Sequence, residues 1–256
     1  PQEEYESFRT NGFNWAYFKE LPKGTNIRSL TATLHLARML ILVDFDESFD
    51  PSFADGIVYK KAKITEEIRN QYPNKLLIGS GESAYADYFY DERPINCLRN
   101  NDPVSFMNVI REGGIEKQRK IIRIIDENGL SFNERSEATA AAMILALPGM
   151  RIIDFDNISF LDKLVPLLNQ KVIWNGVFEY VNFSSNGNLC AWKYSRGKDH
   201  LLIASNFAVP QNTAHIICND CPEVPDGEKN IFVDILTETK YFRDPIEVKT
   251  KGLCVI

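Results

Sequence analysis

Carboxylates, paired thiols and clustered aromatic rings are the residue types here whose spacing could do chemistry. Glu82 follows the run Gly79-Ser80-Gly81, where a carboxyl could donate a proton, although an exposed loop carboxylate is the plainer reading. Tyr85, Tyr88, Phe89 and Tyr90 gather rings that could stack on a flat ligand, or simply pack core and rim. Asp44, Asp46, Glu47 and Asp50 offer oxygens that would suit calcium. They lack the loop glycine and the closing glutamate of a calcium loop, so a solvated acidic turn fits better. Cys218-Asn-Asp-Cys221, with His215 upstream, has metal-like spacing. A structural zinc site takes its ligands from two such clusters and no second one follows, so a polar turn carrying two thiols is expected. His35 sits among apolar neighbours on a predicted helix and reads as structural. No Ser/His/Asp or Cys/His motif provides a nucleophile.

The elements that would position these groups change character near residue 170. Before it, short apolar runs alternate with helix-period segments. Asn26 can cap a helix through about Val43, with Ile27, Leu30, Leu34, Ala37 and Ile41 on its apolar face. Gly56 to Tyr59 and Leu76 to Gly79 read as buried strands, with a helix from about Lys63 to Gln71 between them. Asp102-Pro103 starts a helix, as an N-cap followed by proline at the first helical position. Gly113-Gly114 ends it. A further helix is predicted from Ile115 to Glu127, then a strand over Leu130–Phe132, a helix begun by Ser136 and stopped by Pro148-Gly149, a strand from Met150 to Asp154 and a helix from Phe160 to Leu168. Strand–helix alternation means parallel strands with crossover helices. A third glycine completing a dinucleotide fingerprint is missing after Gly81, so a barrel is favoured. After residue 170, strands are expected at Val177–Phe183, Leu189–Tyr194, His200–Asn206, Ala214–Cys218, Ile231–Leu236 and Leu253–Ile256, with a hairpin turn at Arg196–Asp199. That pattern predicts an antiparallel β-sandwich over 171–256, behind an α/β part over 1–170.

The totals narrow the function classes. The chain has 256 residues, 44% hydrophobic and 25% charged, with a net charge of −6. Such a balance argues against nucleic acid as a partner, since phosphate neutralisation needs a basic face. No apolar run of membrane-spanning length occurs, so no membrane partner is expected. Five scattered cysteines do not read as a disulfide framework and leave the compartment open, with a slight lean toward a reducing one. Pro1-Gln2-Glu3-Glu4, with neither leader nor initiator Met, reads as the start of a fragment or a processed chain.

The order of several segments resembles the α-amylase family of glycoside hydrolases. Phe53-Ala54-Asp55-Gly56-Ile57 is similar to the family's approach to its fourth barrel strand, commonly an Asp-Gly-Phe-Arg-x-Asp run. Ile68 through Gly79 resembles the helix and strand that lead to the acid/base glutamate. Leu130 to Gly149 resembles the seventh strand and its helix. Leu201–Phe207 and Asp234–Thr237 resemble the C-terminal β-domain. Together these cover most of residues 53–256, and residues 1–52 are not placed. A (β/α)8 barrel takes about 250 residues, so the resemblance implies a partial barrel whose first strands, with the family's Asn-His motif, are missing. It follows that the strand near Ile57 would have an open edge and that the chain would self-associate or pair with a missing barrel half.

Family members of this kind are retaining enzymes needing no cofactor, with two carboxyls about 5–5.5 Å apart across the scissile bond. Residue by residue, the match puts Val58 at the arginine and Lys60 at the nucleophilic aspartate. Protonated lysine has no lone pair with which to attack an acetal. Asn133-Glu134-Arg135-Ser136-Glu137 puts Arg135 at the family's histidine and Ser136 at its second aspartate, unless a one-residue slip brings in Glu134 or Glu137. The acid/base position falls at Ser80, or at Glu82 if the loop is two residues longer. The resemblance thus implies a degenerate glycosidase homologue that binds an α-glucan or oligosaccharide or serves as a scaffold. Glu82 would be its surviving catalytic carboxyl, and Tyr85, Tyr88 and Arg135 its substrate contacts. The alternative is an active retaining α-glucan hydrolase or transglycosidase of carbohydrate metabolism, whose catalytic residues lie at other positions or are supplied from upstream.

Overall fold

The structure, a computed structural model, describes residues 2–10, 12–21, 23–47, 50–100, 102–125, 145–153, 168–180, 189–197, 199–206, 214–216, 232–233, 240–241, 246–248 and 253–255. Chain contacts divide it into a first unit of residues 1–91, 119–123 and 149–152 and a second of 92–118, 124–148 and 153–256.

The first unit is organised by seven strands that lie side by side in chain order: β1 (Trp15–Phe18), β2 (Leu40–Asp44), β3 (Gly56–Val58), β4 (Leu76–Gly79), β5 (Tyr88–Tyr90), β6 (Ile121–Ile125) and β7 (Arg151–Ile153). From β1 to β6 every neighbour pair is parallel. The strands make a parallel, nearly closed barrel sheet. Side chains paired across such a sheet point the same way and alternate faces along each strand. Register pairs Tyr17 with Leu42, Leu42 with Gly56 and Gly56 with Leu76, which puts them on one face. Asp44, Val58, Ile78 and Tyr88 share that face one step along. Val43, Ile57 and Leu77 point the other way, toward the helices.

Those helices are amphipathic for that reason. Helix α1 (Gln2–Thr10) and helix α2 (Ile27–Leu36) cover Ile41 and Val43 with Tyr5, Phe8, Ile27, Leu30 and Leu34. Helix α3 (Glu66–Gln71) brings Ile68 against Ile57, Ile64 and Leu77. Each fully buried Ile or Leu contributes roughly 1.5–3 kcal/mol. Caps fix the helix starts: Asn26 Oδ1 accepts the Ser29 N–H at 3.1 Å, and Thr65 Oγ1 that of Ile68 at 3.3 Å.

Two aspartates lock the strand starts with the same device. The Asp55 N–H donates to the Ile41 carbonyl at 2.9 Å while its Oδ2 accepts the Ile41 N–H at 2.8 Å. The Asp87 N–H donates to the Leu77 carbonyl at 2.9 Å while its Oδ2 accepts the Leu77 N–H at 2.8 Å. A nitrogen side chain completes each: His35 Nε2 lies 2.8 Å from Asp55 Oδ2, and the Arg69 guanidinium 2.6 Å from Asp87 Oδ2.

Three expectations change here. The helix predicted through Val43 stops at Leu36, because Arg38 turns left-handed at φ 59°, and β2 follows. The helix predicted over 115–127 is shorter, Gly114–Arg119, and Ile121–Ile125 is strand β6. In the run Lys-Ile-Ile-Arg-Ile-Ile the β-branched residues favour the extended chain. The open edge expected near Ile57 is absent, because β2 pairs with β3 and β1 with β2, both within the stretch that the sequence left unplaced. The segments predicted over 130–144 and 154–167 lie outside the described residues.

The second unit pairs helices with an antiparallel sheet. Helices α4 (Arg93–Arg99), α5 (Pro103–Arg111) and α6 (Gly114–Arg119) precede β6, and α7 (Lys171–Asn175) leads into the sheet. Its four strands are β8 (Val177–Tyr180), β9 (Leu189–Arg196), β10 (Asp199–Asn206) and β15 (Leu253–Val255), in the order β15-β10-β9-β8. The strands β11 (Ala214–Ile216), β12 (Phe232–Val233), β13 (Lys240–Tyr241) and β14 (Ile246–Val248) form two further pairs. The predicted hairpin is present, with Arg196 opposite Asp199 and Gly197 at φ 62°, a value that suits glycine. Asp102 caps α5, accepting the Ser105 N–H at 2.9 Å. Phe106 and Ile110 of α5 join Leu145, Leu147, Val172, Trp192, Tyr194 and Ile203 in one core. The Tyr194 hydroxyl donates to the Ala146 carbonyl at 2.6 Å.

Candidate functional site

Parallel strands bring their C-terminal ends together, and in barrels of this type those ends carry the chemistry. At the ends of β1, β2, β3 and β5 the inward face presents Tyr17, Asp44, Lys60 and Tyr90. Asp44 is the centre. Its Oδ1 accepts the Tyr17 hydroxyl at 2.5 Å, and its Oδ2 receives the Lys60 ammonium at 2.6 Å. The Lys60 Nζ also stands 5.7 Å from the centre of the Tyr17 ring, within cation–π reach. Asp44 is mostly covered, with 16% of its side chain exposed, whereas Lys60 keeps 44%. The lysine is therefore the member of the pair that an incoming molecule can touch.

Electrostatics fix the protons. Burial above all, then the neighbouring Tyr90 and the hydrogen bond to Asp44, push the Tyr17 hydroxyl far above the ordinary tyrosine value. Both oxygens of Asp44 are engaged, and the pair with Lys60 is neutral as a whole. A second layer flanks the pair: Phe45 and Tyr59, each one residue along from a cluster member, stack at 4.5 Å between ring centres. Backbone bonds hold that layer, with the Phe45 N–H on the Val58 carbonyl and the Tyr59 N–H on the Ile78 carbonyl, both at 2.8 Å. Burial foremost pushes the Tyr59 hydroxyl up to about 12.

The residues singled out in the sequence fall in different places. Lys60 is in the cluster. Glu82 is exposed in the loop after β4, past Ser80, whose N–H donates to the Ala62 carbonyl at 2.9 Å. Tyr85 is exposed in the same loop. Its carbonyl accepts Arg69 Nε at 3.0 Å and its hydroxyl lies 3.4 Å from Glu66, which ties it to α3. Tyr88 opens β5, half-buried, its hydroxyl pushed up by burial and then by Asp87. Arg135 and Ser136 lie outside the described residues. Of the acidic turn, Asp44 proves to be a strand end, and Asp50 accepts both the N–H and the hydroxyl of Ser52, at 2.9 and 2.6 Å. His215 is on β11, and both thiols of the Cys218–Cys221 pair lie outside the described residues. Tyr17 and Asp44 are the site residues that sequence reasoning missed. Their contact spans 27 positions, and no local spacing announces it.

A cleft of about 450 Å3 opens at the opposite, N-terminal ends of the strands, lined among others by Trp15, Asp55, Arg69, Lys75 and Asp87. Of its charged groups, Asp55, Asp87 and Arg69 are those that lock strand register, so the candidate site is the cluster around Lys60.

No family model matches the sequence, and no curated protein matches it. Solved structures do. A maltogenic α-amylase from Thermotoga neapolitana superposes with a TM-score of 0.70 at 10% identity, over 99% of this chain and 92% of that one. An acarbose-complexed α-amylase from Geobacillus thermoleovorans gives 0.68 at 12%, over 99% and 90%. A debranching enzyme from Nostoc punctiforme, soaked with acarbose, gives 0.65 at 11%, over 99% and 87%. At such identities the likeness is one of fold: this chain is built on the fold of the α-amylase-type glycoside hydrolases.

Proposed function

We propose that the chain is a glycosidase-type barrel that no longer hydrolyses α-glucans and whose strand-end cluster binds a saccharide. The observation that carries this reading is the contact of Lys60 with Asp44 at 2.6 Å. Retaining hydrolysis needs one carboxylate free to attack and a second carboxyl to protonate the leaving oxygen. Here the match with the family's nucleophile is an ammonium, and the neighbouring carboxylate is neutralised by it. A cation at that place opposes the oxocarbenium-like transition state that a carboxylate would stabilise. The same cluster offers what sugar hydroxyls and ring faces require: the exposed Lys60 donors and aromatic surface. In this reading Tyr88, Tyr85 and Arg135 add saccharide contacts, Glu82 is the surviving carboxyl, and the sheet is a partial (β/α)8 barrel with a β-sandwich over 171–256.

The test is release of reducing sugar from starch and maltooligosaccharides by the purified chain, beside a Glu82→Gln variant, together with calorimetric titration of maltoheptaose. The expected result is background turnover in both proteins and saturable heat of binding. Turnover that disappears in Glu82→Gln would instead establish an active hydrolase.

A further inference from the structure

Lys60 opens a basic run, Lys60-Lys61-Ala62-Lys63, at the C-terminal end of β3. Lys60 and Lys61 are both exposed, yet only Lys60 has a carboxylate against its nitrogen, since Lys61 makes no ion pair among the described residues. A lysine that cannot attack an acetal can still attack an aldehyde, provided a neighbour accepts its proton. Asp44 is that neighbour. It is held in place from its other side by the Tyr17 hydroxyl at 2.5 Å, so it does not swing away when Lys60 reacts.

We propose that Lys60 is an imine-forming amine that takes the open-chain aldehyde of an aldose; the saccharide reading above supplies its ligand class. Asp44 takes one proton from the ammonium, which frees the nitrogen lone pair. The amine adds to the aldehyde carbon, and the carbonyl oxygen takes up the proton that the newly cationic nitrogen sheds, to give a neutral carbinolamine. Asp44 then returns its proton to the carbinolamine hydroxyl, the C–O bond breaks, and water leaves. The sum is one ammonium and one aldehyde giving one iminium and one water, with no oxidant or reductant. Charge is the same at both ends of the step, so the pairing with Asp44 and the nearby Tyr17 ring serve the iminium as they serve the ammonium. No other exposed lysine in the run has this arrangement.

The experiment traps the imine. The full chain is incubated with sodium cyanoborohydride and glyceraldehyde, the smallest aldose, or in parallel maltose, and labelling is read by peptide mass mapping. A positioned proton-transfer partner contributes roughly 10²–10⁴-fold, so Lys60 should label on the order of tenfold or more faster than Lys61 with glyceraldehyde. Asp44→Asn keeps an acceptor for Tyr17 and should bring Lys60 down to the Lys61 rate. Lys60→Arg should remove the fast site altogether. Equal labelling of Lys60 and Lys61 in the unmodified chain, which needs no variant to fold, would overturn the proposal. So would a folded Asp44→Asn in which the excess persists. An excess of Lys60 over Lys61 with glyceraldehyde but no excess with maltose would keep the imine assignment and remove the glucan reading of the site.

Discussion

The two ends of the parallel sheet use the same residue type for opposite purposes. At the strand starts, Asp55 and Asp87 bond to the backbone N–H of the neighbouring strand and to a nitrogen side chain, His35 or Arg69. At the strand finishes, Asp44 bonds among the described residues through its carboxylate to side chains, Tyr17 and Lys60. A carboxylate bonded to backbone fixes register and cannot be displaced without undoing it. One bonded to side chains can exchange partners while the sheet stays intact. The contrast separates the structural end from the reactive end, whatever the volume of the cleft at the structural one.

Breaking the backbone bond should cost most. Asp55→Ala leaves the Ile41 N–H without its acceptor beneath a covered sheet, which costs about 1–3 kcal/mol. Asp87→Ala should cost less, because its side chain is 40% exposed and water can take over part of the role. Urea unfolding midpoints of the two variants check the order. Asp44→Asn should be milder, below about 1 kcal/mol, since the amide oxygen still accepts from Tyr17 and what is lost is a pair with a lysine 44% exposed. Lys60→Met should change stability least within this pair. Equal losses from Asp44→Asn and Asp55→Ala in the same unfolding series would erase the distinction between the two ends.

A smaller effect belongs to the second unit. The hydrogen bonds from Ser105 hold the Asp102 carboxyl below its ordinary value of 3.8. A group depressed in the folded state adds stability that is present above the ordinary value and is lost as pH falls through the folded one. The difference in melting temperature between the native chain and Asp102→Ala should therefore be constant near neutrality and shrink below about pH 4. A difference that grows on acidification would contradict the cap.

Much of this was legible before any coordinates. Gly56–Tyr59 and Leu76–Gly79 read as strands because a parallel sheet covered on both faces yields unbroken apolar runs. Asp102-Pro103 and the Arg196–Asp199 turn were legible because capping and turn chemistry are local. Strand β2 was hidden by the end of α2: the left-handed residue is Arg38, where glycine would have announced the stop. With β2 concealed, Asp44 read as part of an acidic turn, and its partnership with Tyr17 and Lys60 was out of reach. Lys60 itself stood out through the family resemblance alone. Contacts made across a sheet leave no trace in spacing along the chain.

The central claim is that the strand-end cluster holds an amine–carboxylate pair where a glycosidase would hold an attacking carboxylate. A 5-fluoroglucosyl fluoride traps retaining enzymes as a glycosyl ester on that carboxylate, because deglycosylation of the covalent intermediate is slowed. Intact-mass spectrometry of the purified chain after incubation with it tests the claim most directly. An unchanged mass is the result predicted here, and a stoichiometric glycosyl adduct mapped to Asp44, Glu82 or any other carboxylate would contradict it.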